Sequence, residues 1–408
     1  MNVAAEKPPS LALMIITGML CTIVLVVFAR LAYGLVLPAM RQGLGLSYSA
    51  AANLGTVTAL GYLSLVMVAG MFAARWGARL AIILGLCSAA IGFFGLSFAS
   101  DYWVLMVMMV LLGFGTAFGY TPLISLLGSW FPKRRGAVIG FANGGVGLGM
   151  LIAGTLVPYL TAADPADGWR TVWTLFGGSA LLVVLVAAVV LRDPPQARPH
   201  DPATQPPLPR VRAAVYTNPH VVTVGLVYGV VGMTYIVQSI FMFSFALASD
   251  IPALTAGKMA SAMGLLAIFA GPTWGWISDR IGRSNSLVVS MALSLFGTAL
   301  PVIWPVELAF GAHYVILGLC VTGLFTSVLA ASTETVHPRY AAVAVSFVTL
   351  FFASGQLIGP ALAGLLVEWT GDFRLVFTFT CLLMAIGIFL CWHTRKSQSS
   401  VLAQTSTD

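Results

Sequence analysis

An arginine stands inside the first long apolar run of the chain, in the stretch VVFARLAYGLVLPAM that covers residues 26–40. A guanidinium in a bilayer is costly to bury, and such residues face a bundle interior or a wet cavity. The planar fork of Arg30 matches a carboxylate or a phosphate. Tyr33 and Gly34 follow at i+3 and i+4, so an α-helix sets all three on one face. The chemistry this implies is anion anchoring, with the Tyr33 hydroxyl beside the guanidinium. The competing role is a long side chain snorkelling to the headgroups. If Pro38 ends the helix, Arg30 lies about 12 Å below that end at 1.5 Å per residue.

Other polar residues inside apolar runs are secondary candidates. Tyr120 follows Thr116 by one turn. Asn143 stands among Gly140, Gly144, Gly145 and Gly147, a composition that also serves close helix packing. Tyr228, Gly232, Tyr235 and Ser239 form a line at 4-3-4 spacing, with Gln238 alongside. Gln356 shares a run with Ser354 and with the Gly359-Pro360 step, which reads as a packing and bending site. Each of these has a structural role as its plain alternative. The five histidines lie in loops or at run ends, and the five cysteines lie in apolar runs at no metal-like spacing, so no cofactor or metal is expected.

The elements that must position these residues follow from composition. Of the 408 residues, 59 % are hydrophobic and 8 % charged, against about a quarter charged in a soluble domain. Mean hydropathy is +0.95. The bilayer must be part of this protein's solvent. The net charge of +7 is scattered over short loops rather than gathered in a patch, which sets membrane orientation and excludes nucleic acid as the partner. The first run is longer than a signal-peptide core and no small-x-small cleavage site follows it, so it is expected to stay as a helix.

Runs of roughly 20 residues mark spanning helices. Twelve are expected, near 11–38, 50–73, 79–99, 102–128, 137–160, 171–191, 221–247, 255–276, 286–304, 312–334, 341–366 and 375–392. The Pro-rich stretch from Leu191 to Arg212 divides them six and six. The domains expected are a first bundle over 1–191, a cytoplasmic linker over 192–219, a second bundle over 220–396 and a polar tail over 397–408. With the N-terminus inside, fifteen of the 20 Lys and Arg are cytoplasmic and four lie outside. That bias predicts both termini in the cytoplasm. The halves also repeat. Gly70-x-x-x-x-Arg75-x-Gly77-x-Arg79 matches Gly275-x-x-x-Asp279-Arg280-x-Gly282-Arg283, Pro132 matches Pro338, and Asp-Gly-Trp-Arg170 matches Gly-Asp-Phe-Arg374. All three offsets are close to half the chain, the mark of duplicated six-helix halves.

Twelve helices, a long central loop and the G-x-x-x-D-R-x-G-R loops resemble the major facilitator superfamily. Arg30-Leu-Ala-Tyr33-Gly34-x-x-x-Pro38-x-Met40, Gly232-x-x-Tyr235-Ile and Gly271-Pro-x-Trp-Gly-Trp-x-Ser-Asp-Arg280 resemble its bacterial YbfB/YjiJ branch. The stretch Trp130-Phe131-Pro132-Lys133-Arg134-Arg135-Gly136 through Gly149 is similar to monocarboxylate and oxalate–formate carriers. The resemblance implies an all-α integral membrane fold of two pseudo-symmetric six-helix bundles that rock about a central cavity. It implies gating by Arg75, Arg79, Asp279, Arg280 and Arg283, with Asp279 capping a neighbouring helix start. The first copy departs, with Ala74 where the aspartate belongs.

Among function classes, an enzyme lacks its nucleophile–base set or buried acids, and ATP-driven pumping lacks a G-x-x-x-x-G-K-[ST] loop. No carboxylate lies within an expected span, Glu334 at a span end being nearest, so a cationic substrate is disfavoured. An anion entering with its own proton, or exchanging with another anion, needs only Arg30. The expectation is a monomeric secondary transporter of a small, monocarboxylate-like organic anion in the cytoplasmic (inner) membrane, in contact with membrane lipids. The alternative is an exporter of a small neutral or amphipathic compound. Substrate contacts are expected from Arg30, Tyr33, Tyr120, Asn143, Tyr235, Gln238 and Gln356.

Overall fold

A computed structural model describes residues 10–131, 134–193, 212–332, 335–336 and 341–405. Among the described residues there are helices and no strands. The chain divides into two compact units, Met1–His200 and Asp201–Asp408. Among the described residues, twelve helices are long and apolar enough to cross a membrane.

Unit 1 holds α1 (Leu11–Thr22), a π-helical segment (Ile23–Leu31), α2 (Tyr33–Leu44), α3 (Tyr48–Trp76), α4 (Ala78–Phe98), α5 (Tyr102–Trp130), α6 (Arg135–Ala163) and α7 (Gly168–Val190). The first apolar run departs from the expected single α-helix. It widens into a π-helix from Ile23 and re-forms as α2, which continues through Pro38 to Leu44. Pro38 is therefore not the helix end. A proline removes one backbone donor, and nearby groups can absorb that loss in a membrane helix.

Short turns join the helices, and their sequences say why. Ser47 accepts the Ala50 N–H at 3.1 Å and starts α3. Asp101 accepts the N–H groups of Trp103 and Val104 and starts α5. Both are ordinary N-caps. Gly77, between α3 and α4, has φ +97°, a backbone setting that a side chain would strain. α4 packs on α5 and α7, α3 on α5, and α6 on α1, with the π-helical segment between α5 and α6. The core has an aromatic centre, where Phe28 stacks on Phe176 at 4.0 Å beside Trp173 and Phe93.

Unit 2 holds a short π-turn (Arg212–Tyr216), α8 (Pro219–Ala248), α9 (Ala253–Ile281), α10 (Arg283–Ile303), α11 (Glu307–Ala331), α12 (Ala341–Thr370) and α13 (Phe373–Thr405). Asn218 caps α8, and Gly282 (φ +84°) turns α9 into α10 as Gly77 turns α3 into α4. α8 packs on α12 and α13, α9 on α11, and α10 on α11 and α13. Ser286, Ser290, Ser294 and Thr298 recur every fourth residue along one buried face of α10. Small hydroxyl side chains let membrane helices approach closely and bond across. Ser286 pairs with Ser327 at 2.9 Å and Thr298 with Gln238 at 3.1 Å. α13 runs on to Thr405, so most of the stretch expected as a polar tail continues the helix.

Candidate functional site

The site in unit 1 gathers one side chain from each of four elements. Arg30 comes from the π-helical segment, Tyr62 from α3, Tyr120 from α5 and Asn143 from α6. The Arg30 guanidinium carbon lies over the Tyr62 ring, 4.8 Å from its centroid. Tyr62 stands 14 residues from both Tyr48 and Trp76, the two ends of α3, which is about 21 Å along the axis from either. The guanidinium is thus at the level of the middle of α3. Tyr120 donates its hydroxyl proton to Asn143 Oδ1 at 2.9 Å. The Tyr62 and Tyr120 rings are near enough to interact electrostatically. All four side chains are half-buried: packed by their neighbours yet reachable from outside the unit.

Backbone packing sets these positions. Thr116 on α5 donates to the Leu25 carbonyl at 2.6 Å, five residues before Arg30 and so one π-helical step away. α3 crosses α5 at Gly61 and Gly113, where a Cβ on Gly61 would come 2.7 Å from the Val110 carbonyl oxygen. The glycines beside Asn143 divide in two. Gly145 lies against the Met19 carbonyl and lets α6 close on α1, whereas a Cβ on Gly140 or Gly144 would meet nothing within 4 Å. The glycine run therefore serves packing on one face and leaves an open face next to Asn143.

Several expected contacts go elsewhere. The Tyr33 hydroxyl donates to the Ala51 carbonyl at 2.6 Å and its ring is 2 % exposed, so it ties α2 to α3 instead of extending the anchor. The π-helical segment ends at Leu31, before Tyr33, which breaks the face that a continuous α-helix would have shared. Gln238 spends both ends of its amide inside unit 2, its Nε2 donating to Thr234 O and its Oε1 accepting from Thr298. Gln356 is buried in α12, next to Gly355, where α12 meets the Gly229–Met233 stretch of α8. Tyr235 is half-buried and meets Phe325 edge to face at 5.1 Å.

Among the gating candidates, Arg75 is exposed and lies over Trp76 at 4.9 Å, and Arg280 lies over Trp276 at 3.7 Å. The Arg79 guanidinium donates to the Ala188 carbonyl at 2.6 Å and its backbone N–H to Asp193 Oδ1 at 2.9 Å. Asp279 lies in α9 and Arg283 starts α10, but both side chains are outside the described residues, as are Pro132, Glu334 and Pro338. Two residues escaped the sequence reading. Tyr62 carries no charge, although it is the sole tyrosine between Tyr48 and Tyr102. Asp193 falls at the start of the segment expected as linker.

Twelve membrane-crossing helices in two six-helix units, with a cation held inside one of them, define a multi-pass membrane carrier. The family described as "Uncharacterised MFS-type transporter YbfB" matches residues 22–392. The chain belongs to this family of the major facilitator superfamily, and its function is transport, not catalysis. Human monocarboxylate transporter 11 is 28 % identical over 335 residues, 79 % of this chain and 70 % of that one. Rat monocarboxylate transporter 3 is 26 % identical over 387 residues, 88 % and 76 % of the two chains. The fold is similar to a bacterial homolog of the human lysosomal transporter Spinster, inward-facing and unoccupied (TM-score 0.80, 16 % identity, 96 % and 98 % of the two chains). It is also similar to the nucleoside transporter NupG (TM-score 0.77, 14 % identity, 95 % and 99 %).

Proposed function

We infer that the protein is a secondary transporter of a small organic anion of the monocarboxylate kind, working by alternating access. The observation that carries this reading is the Arg30 guanidinium over Tyr62 at the mid-level of α3. A cation at that depth calls for negative charge or a strong dipole nearby. Arg30 ends the π-helical segment, but the chain runs on as α2 to Leu44, whereas Arg75, Arg79 and Arg170 stand within two residues of the end of a span, and the sequence of the unit 1 spans contains no Asp or Glu. A substrate carboxylate supplies the negative charge through charge-assisted hydrogen bonds. Tyr120 and Asn143 supply further hydrogen-bonding groups on the same half-buried surface. The names of these relatives, both monocarboxylate transporters, agree with an anionic cargo.

Movement of one such anion needs charge compensation, by a proton carried with it or a counter-anion exchanged for it. The distribution of basic loops supports a location in the cytoplasmic membrane with both termini inside. The protein works as a monomer, each chain carrying its own Arg30. Arg75 and Arg79 on either side of Gly77, and Asp279, Arg280 and Arg283 on either side of Gly282, govern opening in this reading. The test is uptake of labelled acetate, pyruvate and benzoate into proteoliposomes holding the purified full chain. Arg30→Ala is expected to abolish uptake while inserting normally. Unchanged uptake by Arg30→Ala removes the anion reading.

A further inference from the structure

We propose that Tyr62 is the residue that aims Arg30, and that the pair makes the site selective for a flat monoanion. This rests on the organic-anion reading above and deepens it.

The face of an aromatic ring is negative and its edge positive, so a cation over the face is held there. The Arg30 guanidinium carbon is 4.8 Å from the Tyr62 centroid, within the range of that attraction. An unheld arginine has several rotatable bonds and loses considerable freedom when a ligand fixes it. A guanidinium already resting on a ring has given up much of that freedom before the anion arrives, which tightens binding. The ring covers one face of the cation, and a carboxylate meets a guanidinium in the plane of its fork.

The α3 backbone at Tyr62 is closely packed. A side chain on Gly113 would come within 2.8 Å of the Tyr62 backbone nitrogen, so α3 and α5 touch backbone to backbone at that level. The same helix α5, one turn further along, holds the π-helical segment through Thr116 and Leu25. One helix thus positions both partners, the ring through a glycine crossing and the arginine through a threonine hydroxyl.

Selectivity follows from shape and charge. A planar carboxylate matches the guanidinium fork in two parallel hydrogen bonds. One guanidinium neutralises one negative charge. A second charge, on succinate or on inorganic phosphate, stays uncompensated in a medium of low dielectric constant.

The test uses the purified full-length chain, with acetate, pyruvate and benzoate as probes and succinate and phosphate as competitors. Binding is read by thermal shift and by saturation of uptake. Tyr62→Phe keeps the ring face and is expected to bind within about twofold of wild type. Tyr62→Leu is expected to weaken binding about three- to thirtyfold, the span that cation–π energies correspond to, with the maximal uptake rate retained. Because Tyr62→Leu removes packing as well, mono-, di- and trifluorophenylalanine at position 62 provide a series of nearly constant size. Affinity is expected to fall stepwise along it as the ring face loses negative charge, an effect a packing role does not produce. A flat or inverted series, with Arg30→Ala inactive, overturns the role of Tyr62 and leaves the anion reading standing. A wild-type protein bound by none of the monoanions, or an Arg30→Ala variant that binds them normally, overturns both. Phosphate or succinate competing as well as pyruvate overturns the selectivity.

Discussion

Tyr120 and Asn143 meet across α5 and α6, the tyrosine hydroxyl donating to Asn143 Oδ1 at 2.9 Å. The donation orients the amide, because an oxygen that accepts from Tyr120 turns the Nδ2 group, the donor side, the other way. A hydrogen-bond donor on the open face beside Gly140 and Gly144 is what an oxyanion would use. Asn143→Leu removes it, and Tyr120→Phe removes only its orientation. Asn143→Leu is expected to raise the KM of a transported monoanion at least tenfold, and Tyr120→Phe by less. Interhelical hydrogen bonds in membranes contribute about 0.6 kcal/mol on average. A double-mutant cycle on melting should therefore find a coupling of about that size. Two variants with equal KM would show that the amide orientation has no part in binding.

Adjacent glycines on α6 are expected to respond with opposite signs. Gly144 has nothing within 4 Å of a would-be side chain, while a Cβ on Gly145 would come 2.5 Å from the Met19 carbonyl oxygen. Met19 O is backbone and cannot swing aside, so Gly145→Ala must part α6 from α1. Gly144→Ala replaces the poorer helix former, a gain of up to about 1 kcal/mol. Melting of the detergent-purified variants should show Gly145→Ala lowered and Gly144→Ala equal to wild type or raised. Similar losses at both positions would mean that the open face is occupied by another part of the protein.

The twelve spans were readable because a bilayer leaves a signature of length and continuity that loops cannot imitate. Their internal geometry was not. The π-helical stretch contains Ile23, Val24, Val26 and Val27, all weakly helix-favouring, but hydropathy does not separate a π-turn from an α-turn. Arg30 was conspicuous because charge inside an apolar run is rare. Tyr33, Gln238 and Gln356 stood out for the same reason of polarity, yet each is buried within its own unit. A membrane protein must satisfy its polar groups internally, so mid-span polarity marks packing as readily as it marks a site. What the sequence could not supply was rotation about the helix axis. Tyr62 was missed for the converse reason, since a mid-span tyrosine looks like ordinary packing until the ring is seen under a guanidinium.

Asp193 caps the helix start that follows Ala74, the α3 position where the resemblance leads one to expect an aspartate. It accepts the Arg79 N–H at the start of α4, where the helix dipole favours a negative group. The neighbouring Arg192 carbonyl accepts from Trp130 Nε1 at 2.7 Å, which joins the end of α5 to the same knot. In unit 2 an aspartate, Asp279, stands in the last turn of α9, and the sequence has no Asp or Glu between Asp372 and Asp408. Asp193→Ala is expected to destabilise the protein by about 1 kcal/mol, the usual effect of losing a cap. Asp193→Asn, which keeps an acceptor but not the charge, should lose less. Melting curves at low and high salt separate the two contributions. An Asp193→Ala protein that melts like wild type would leave the knot without a stabilising role.

The opposite ends of the same helix pairs carry a matched clamp. Arg170 donates to the carbonyls of Ser97 and Ala99 at 2.9 Å each, closing the end of α4 against α7. Arg374 donates to the carbonyls of Val302 and Ile303, closing the end of α10 against α13. These are the last carbonyls of a helix, which lack partners in their own helix. The repeated Asp-Gly-Trp-Arg and Gly-Asp-Phe-Arg sequences thus preserve one mechanical function. The aromatic residue before each arginine, Trp169 or Phe373, is buried beside it. Lysine carries the charge but not the fork, so Arg→Lys should recover little at either site. Arg170 also bonds Ser100 Oγ and pairs with Asp167 at 3.0 Å, an exposed ion pair that adds little. Arg170→Ala and Arg374→Ala should therefore lower stability by similar amounts, about 1–2 kcal/mol each. The two sites lie in separate units, so their effects should add in the double variant. A loss at one site alone, measured by melting of both single variants, would show that the repeat keeps the sequence while only one copy keeps the clamp.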